Sequence, residues 1–265
     1  MRGIIQNRAT ELKVIPTLNT IITKVFAILN DRDSSFSDLS DVVQHDQAIS
    51  SKVISIANSA YYSRGIEICS LQRAMINIGF EEAKGIIMCI LFMENMLKQL
   101  KLKEEDIFAL WNHSIYVACA SKVLSEKLLV EDPQKVYTAG LLHDIGKVVF
   151  YMDVDDYGEK LKQAYALGKS VIQMENENFG ADHQGAGYSI GVKWKFPPEF
   201  TNVIRYHHEV DGAGRHGSLV HLVGIADRFS AAPHTVPDRE GFILLKEKDA
   251  IASEMKNIMD LLRMA

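Results

Sequence analysis

Apolar residues recur every three or four positions along most of the chain, and the strict alternation that marks half-buried strands is rare. This periodicity predicts an all-α protein. After Pro16, the first helix is predicted to run to about Leu29. Its buried stripe is expected to consist of Leu18, Ile21, Ile22, Val25 and Phe26.

Small polar residues mark the predicted starts of the next three helices. Ser35, followed three residues later by Asp38, has the spacing of a capping box. Asp46 is predicted to cap a helix that begins at Gln47 and runs to about residue 58. Ser70 is predicted to cap a helix that ends near Gly79.

Two further segments are strongly helical in pattern. Residues 80–100 predict a longer, largely buried helix, whose apolar run at 85–93 is shorter than the ~20 residues that a membrane span requires. Residues 248–265 place apolar side chains on one face, which we expect to pack on the body of the protein; a partner or dimer surface is the alternative. That face contains Ile251, Met255, Ile258, Met259 and Leu262.

The composition of the 265-residue chain is that of a soluble globular protein, with 47% hydrophobic and 24% charged residues. The first residues lack a secretory signal, so a cytoplasmic location without membrane association is expected. The three cysteines, Cys69, Cys89 and Cys119, are interpreted as buried packing thiols in a reducing compartment.

DNA binding is not predicted. The two short helices between residues 35 and 58 could suggest a helix-turn-helix, but residues 35–51 contain Asp38, Asp41 and Asp46 and no Lys or Arg. Such a segment would repel phosphates. The net charge of −5 points the same way.

The segment at residues 141–150 concentrates ionisable groups in an apolar run. It contains His143, Asp144 and Lys147, which on one helix would face the same side. Burying three such groups together requires a metal, a mutual network or a catalytic site. A second His-Asp pair, at His45 and Asp46, is interpreted as an ordinary helix start.

Other potential metal ligands lie in apolar segments before and after this one: His113, His183, His207, His208 and Asp227. Each has a simpler explanation when it is considered alone. His113 could be a hydrogen-bonded core histidine, Asp227 could pair with Arg228 or with another helix, and one of His207 and His208 could be a solvated residue at a helix end.

Four stretches of the chain resemble the HDOD domains of bacterial signalling proteins. They read IPTLNTIITKVFAIL, DLSDVVQHDQAISSKVISIANSAYYS, SLQRAMINIGFEEAKGII and ENENFGADHQGAGYSIGVKWKFPPEFTNVIRYHHE. The resemblance covers residues 14–229 and implies an HD-domain-like helical fold with an N-terminal helical subdomain. It implies an N-terminal helical half at 1–100, a core with a metal site at 101–232, and a C-terminal loop and helix at 233–265, together forming one continuous HDOD domain.

The resemblance also implies a ligand set, because the order of the seven residues is that of HD-superfamily phosphohydrolases that bind two metals. Together the seven favour a metal site over a purely structural network. One ion is assigned to His113, His143, Asp144 and Asp227; Asp144 could bridge to a second ion held by His183, His207 and His208. Mixed imidazole and carboxylate ligands suit Fe, Mn, Zn or Ni.

Lys147 could neutralise a bound phosphate, or it could form an ion pair with a ligand carboxylate. We therefore regard Asp144 and Lys147 as candidate catalytic residues. Two departures from related enzymes limit the resemblance. The Gly-Tyr-Pro phrase of the cyclic-dinucleotide phosphodiesterases is absent after Lys147, and Ala109 stands where some trinuclear members have glutamate.

Two functions follow from this sequence. The preferred hypothesis is a signal-transduction module that binds a nucleotide-type ligand or a protein partner. The alternative is an active metal-dependent phosphohydrolase that acts on a nucleotide or phosphodiester.

Overall fold

The structure is a computed structural model that describes most of the chain. The described residues are 24, 25, 27, 28, 31, 33–59, 61–63, 65–91, 103–194, 196–209, 212 and 214–264. Within these ranges the regular structure is helical and no strand occurs, so the all-α prediction is confirmed. No helix in the described ranges is long and apolar enough to cross a membrane.

The described residues form two compact units. The smaller unit comprises the described residues between 16 and 99 together with residues 249–264, and the ligand-bearing unit comprises those between 100 and 248. One boundary between the two units falls near residue 100. The segment predicted as 233–265 is divided at residue 248 between the two units.

Five helices of the smaller unit have both ends within the described residues. They are α1 (Phe36–Val43), α2 (Gln47–Ala57), α3 (Leu71–Ile78), α4 (Phe80–Leu91) and α14 (Lys248–Met264), the last of which begins one residue before this unit. Residues 83–91 of α4 are all buried, and α4 packs against α2 and α3. On α14, Ile251 and Met259 are buried, as the predicted apolar face requires.

The predicted helix caps of this unit are confirmed. Ser35 and Asp38 form a complete capping box at the start of α1. Asp46 Oδ1 accepts the backbone N–H of Ile49 at 3.1 Å, and Ser70 caps α3. Helix α3 ends at a glycine, Gly79, with φ of +102°. Of the helix predicted at 16–29, the described residues 24, 25, 27 and 28 are helical, and the rest lies outside the described residues, as do 92–100 of the helix predicted at 80–100.

The prediction that all three cysteines are buried is wrong for Cys69. Cys89 and Cys119 are buried, whereas Cys69 is exposed; all three are free thiols. Cys69 lies in the loop before α3, where the neighbouring Ile68 is held by hydrogen bonds between its backbone and the side chain of Asn58. Apolar neighbours in sequence therefore do not bury this thiol.

The ligand-bearing unit is built around the 25-residue helix α5 (Glu104–Leu128). The remaining helices are α6 (Pro133–Leu142), α7 (Lys147–Asp153), α8 (Tyr157–Ala166), α9 (Val171–Phe179), α10 (His183–Lys193), α11 (Pro198–Tyr206), α12 (Gly217–Ala231) and α13 (Asp238–Lys246). Short 3₁₀ helices occur at Gly214–His216 and Pro233–Thr235. Helices α6, α12 and α13 pack against α5, and α10 packs against α7 and α11.

The placement of His143 and Lys147 on one continuous helix is wrong. Residues 143–146 form a turn between α6 and α7. This turn makes a close backbone contact: a Cβ atom on Gly146 would lie 1.9 Å from the carbonyl oxygen of His183 and 2.6 Å from the backbone nitrogen of Gly187. Glycine permits this approach, which brings the 143–146 turn directly onto the start of α10.

Candidate metal centre

Four helices and a turn bring all seven predicted ligands together in the ligand-bearing unit. His113 lies in the middle of α5, and Asp227 lies in α12. His143 and Asp144 occupy the 143–146 turn, His183 is the first residue of α10, and His207 and His208 follow the end of α11. Gly224 allows the backbone of His207 to lie close to α12, because a Cβ on Gly224 would lie 2.3 Å from the carbonyl oxygen of His207.

The first predicted ligand group is tightly clustered. His113 Nε2 lies 3.2 Å from Asp144 Oδ2 and 3.1 Å from Asp227 Oδ1. His143 Nε2 lies 3.2 Å and 3.7 Å from the same two oxygens. Donor atoms that share one ion at about 2.1 Å lie roughly 3.0–3.4 Å apart when the angles are 90–109°. Most of these separations therefore match those of atoms that share an ion.

The second predicted group lies on the other side of Asp144. His183 Nε2 lies 3.3 Å from His207 Nε2 and 3.2 Å from His208 Nε2. Asp144 Oδ1 faces His183 Nε2 at 3.3 Å and His207 Nε2 at 3.7 Å. The two carboxylate oxygens of Asp144 thus face different histidine groups. The two predicted ligand groups are not fully separate, because donor atoms of His143, His207 and Asp227 also lie within 4.8 Å of one another.

Three buried polar atoms of this cluster have no hydrogen-bond partner in the described structure: His113 Nε2, His143 Nε2 and Asp144 Oδ1. A buried polar atom without a partner is destabilising by about 1–3 kcal/mol. A cation between these atoms would satisfy all three at once. The donor set therefore fits a divalent transition metal.

Backbone carbonyls hold two of the imidazole rings with Nε2 directed at the centre. His143 Nδ1 lies 2.7 Å from the carbonyl oxygen of Gly140. His207 Nδ1 lies 3.1 Å and 3.2 Å from those of Val203 and Ile204. A carbonyl only accepts hydrogen bonds, so Nδ1 carries a proton in each ring and Nε2 is the nitrogen that faces the centre.

Sequence reasoning missed the partners of two further rings, those of His183 and His113. Glu175 on α9 is fully buried and its Oε2 lies 2.8 Å from His183 Nδ1. Ser230 Oγ lies 3.3 Å from His113 Nδ1. The periodicity of α9 could have revealed Glu175, because it lies four residues from both Val171 and Phe179 on the buried stripe.

Asp144 is surrounded by positive charge. Burial opposes ionisation, but His143 and Lys147 hold the pKa of Asp144 well below its usual range. Lys147 Nζ lies 2.5 Å from Asp144 Oδ2, and this carboxylate raises the pKa of the buried lysine well above normal despite the opposing effect of burial. The pKa of His143, which burial alone would lower, is raised to about 10 by Asp144 and Asp227.

The two adjacent histidines that follow α11 behave in the opposite way. Burial, aided by the neighbouring His208 and His143, holds the pKa of His207 well below its usual range. Burial also lowers the pKa of His208 to about 4, although its side chain is 32% exposed and Asp227 lies 3.5 Å away. Both imidazoles are therefore neutral at pH 7, the form in which they can bind a metal.

A cavity of about 340 Å³ opens onto the cluster from one side. Its inner end is formed by His113, Asp144 and Lys147, and its walls include Tyr151, Tyr165 and Ser230. Ala109, at the position where some trinuclear relatives have glutamate, also lines this cavity. Lys147 thus forms the predicted ion pair and also lines the cavity, so its contact with Asp144 does not exclude the role in binding phosphate.

Comparisons with known proteins identify relatives of the whole fold. The HDOD domain profile matches residues 15–210. An uncharacterized protein of Treponema pallidum (strain Nichols) is 23% identical over 212 residues, which are 77% of this chain; the chain spans only 40% of that relative.

Solved structures of similar fold come from other bacteria. An HDOD domain protein of unknown function from Geobacter sulfurreducens is 20% identical with a TM-score of 0.76, over 98% of this chain and 97% of the other. A proposed phosphohydrolase from Shewanella amazonensis SB2B is 20% identical with a TM-score of 0.72, over 99% and 98% of the two chains. A proposed signal transduction protein from Marinobacter aquaeolei VT8 is 19% identical with a TM-score of 0.76, over 99% and 65%.

Proposed function

We propose that this chain, which belongs to the HDOD family, is a regulatory module of signal transduction whose metal centre binds a phosphate-bearing, nucleotide-type ligand. One observation carries the proposal. Buried donor atoms of His113 and Asp144 that lack hydrogen-bond partners lie at the inner end of a cavity that also contains the Lys147 ammonium.

His113, His143, Asp144 and Asp227 would hold one divalent ion. His183, His207 and His208 would hold a second, with Asp144 between them. When bound, such ions polarise a phosphate oxygen and activate water for attack. The nitrogen-rich donor set favours Fe, Mn, Zn or Ni over Mg or Ca, which prefer oxygen ligands.

The remaining cavity residues would position the ligand. Lys147 supplies a positive charge at the inner end, where a phosphate would meet it. Tyr151 and Tyr165 supply aromatic walls nearer the opening, against which a base or another flat apolar group could lie. The volume of about 340 Å³ is within the range of small-molecule sites, roughly 300–1,000 Å³.

Hydrolysis of the bound phosphoester is the second candidate function. The same cavity favours it, because His113 and Asp144 border the space in which a phosphate would lie. The absence of a Gly-Tyr-Pro phrase after Lys147 and the presence of Ala109 separate the chain from the cyclic-dinucleotide phosphodiesterases and from trinuclear relatives. The substrates of those enzymes are therefore not inferred for this chain.

Elemental analysis of protein purified without chelators or affinity metals tests the metal centre. Wild-type protein is expected to contain one or two transition-metal ions per chain, and His143→Ala is expected to lose them. His45→Ala is the matched control, because His45 begins the other His-Asp pair but is exposed in the smaller unit. Wild-type protein that takes up no metal would refute the proposal.

A second experiment separates regulation from catalysis. Metal-loaded wild type, His143→Ala and His45→Ala are assayed for hydrolysis of bis(p-nitrophenyl) phosphate and for complementation in cells. Hydrolysis that disappears in His143→Ala and survives in His45→Ala would support the enzyme. Absence of hydrolysis, together with metal-dependent retention of a radiolabelled nucleotide, would support the regulatory module.

A further inference from the structure

We propose that Glu175 and Tyr157 form a positioning pair that fixes the tautomer of His183 and thereby sets the affinity of the second metal position. This inference rests on the proposed function, since it concerns the same centre. Neither residue lies close enough to the donor atoms to be a ligand in the assigned groups. Their effect would be exerted through the imidazole of His183.

Glu175 is a fully buried acidic residue that contacts one of the predicted ligands, His183, directly. Its Oε2 accepts the backbone N–H of His183 at 2.8 Å and lies 2.8 Å from the Nδ1 atom of the same ring. Because a carboxylate only accepts, the ring proton must be on Nδ1. The bare Nε2 is then directed at His207, His208 and Asp144.

Tyr157 holds the other oxygen of the carboxylate. Its hydroxyl donates to Glu175 Oε1, and its ring is completely buried among Phe150, Tyr151 and Phe179. Burial and the adjacent carboxylate raise the pKa of Tyr157 well above normal, so the hydroxyl keeps its proton. The carboxylate is thus held at both ends and cannot rotate away from His183.

The glycine contact described above fixes the same residue from a second direction. The backbone of Gly146 lies against the carbonyl of His183, so the main chain of His183 is held by the 143–146 turn. That contact does not restrict rotation of the imidazole or choose its protonated nitrogen. Glu175 supplies both of these restraints, which is why its role goes beyond packing.

The size of the effect follows from the general behaviour of such partners. A carboxylate that orients a metal-binding histidine typically contributes about 10–100-fold to metal affinity. Glu175→Ala is therefore expected to weaken the second metal position by about 10–100-fold while the first position keeps its ion. Glu175→Gln keeps an acceptor for the ring and loses the charge, so it is expected to recover part of the affinity.

The test measures metal affinity by competition with a chromophoric chelator for wild type, Glu175→Ala, Glu175→Gln and Tyr157→Phe. Glu177→Gln is the matched control, because Glu177 is on the same helix but is exposed and bonds only Gln173 among the hydrogen bonds described. Far-ultraviolet circular dichroism establishes that each variant is folded. The proposal expects two affinities in wild type and selective loss of one in the Glu175 variants.

Nitrogen-15 spectra of metal-free protein give a readout that is independent of metal and activity. Wild type is expected to show His183 protonated on Nδ1, and Glu175→Ala is expected to lose this preference. If Glu175→Ala does not fold, metal affinity is still measured on Glu175→Gln and Tyr157→Phe. Folded Glu175 variants that bind metal as tightly as wild type would overturn the positioning role. Failure of wild type to bind metal while the tautomer still depends on Glu175 would instead remove the proposed function alone.

Discussion

Gly146→Ala is the substitution that tests most directly how the candidate centre is assembled. The added Cβ would lie 1.9 Å from the carbonyl oxygen of His183 and 2.6 Å from the backbone nitrogen of Gly187. Both obstacles are main-chain atoms, so no side-chain rotation relieves the clash. The turn that carries His143 and Asp144 must therefore move away from α10.

The required movement sets the magnitude. The contact must lengthen from 1.9 Å to at least 3.0 Å, which is a displacement of about 1.1 Å. Overpacking is typically destabilising by about 1–3 kcal/mol, and we expect the upper end, about 3 kcal/mol, because both obstacles are main-chain atoms. For a chain of this size that corresponds to a fall of roughly 6–12 °C in melting temperature. Because the turn carries two ligands, displacement by about 1 Å should also lower activity or metal affinity by roughly 10²-fold.

Thermal melts followed by circular dichroism, with and without chelator, separate the two effects. Gly217→Ala is the matched control, because Gly217 begins α12 in the same unit and a Cβ there meets no atom within 4 Å. We expect it to be neutral or slightly stabilising. If Gly146→Ala melted like Gly217→Ala and kept its full metal content, the proposed contact between the turn and α10 would be wrong.

Three further predictions concern other features of the chain. Lys147→Met removes the ammonium that competes with a metal for Asp144, so the variant should bind metal at least as tightly as wild type. Calorimetry should show that the metal-loaded variant binds inorganic phosphate about tenfold or more weakly than wild type. Unchanged phosphate affinity would exclude Lys147 from the ligand site. The raised pKa of His143, about 10, means that its ring is protonated at pH 7, so metal uptake should release about one proton. The released proton can be measured from binding enthalpies in buffers that differ in their heat of ionisation. Release of no proton would contradict the assignment of His143 as a metal ligand. Asn58→Ala removes both hydrogen bonds to the backbone of Ile68 and should lower the free energy of unfolding by about 1–3 kcal/mol in urea titrations. An unchanged midpoint would show that the loop containing Ile68 does not stabilise the smaller unit.

Local structure was predictable wherever a short-range interaction determined it. The helix caps accept hydrogen bonds from backbone N–H groups that lie within three residues, as at Ser35 with Asp38 and at Ser70 before α3. The sequence alone therefore indicates where these helices begin. His45 was rightly separated from the candidate site for the same reason, because Asp46 caps α2 and His45 is exposed. The periodicity of apolar residues similarly predicted an all-helical chain.

Features that depend on contacts distant in sequence were not predictable. The sequence at 141–150 was interpreted as helical, yet residues 143–146 form a turn, and Gly146 in this turn lies against His183. The periodicity of α9 could place Glu175 on the buried stripe, but only the fold shows that it lies beside His183. Cys69 has apolar neighbours along the chain but is exposed in the loop before α3.

The charges of the cluster connect metal binding to ligand choice. In metal-free protein at pH 7, Asp144 and Asp227 carry two negative charges, while Lys147 and protonated His143 carry two positive ones. This balance lets the four groups be buried together without a cation, which an unpaired charge would not allow. Uptake of a divalent ion with loss of one proton leaves these groups with a net positive charge. An anion is then the species best able to restore neutrality at the inner end of the cavity, so the loaded protein, and not the metal-free protein, should select phosphate.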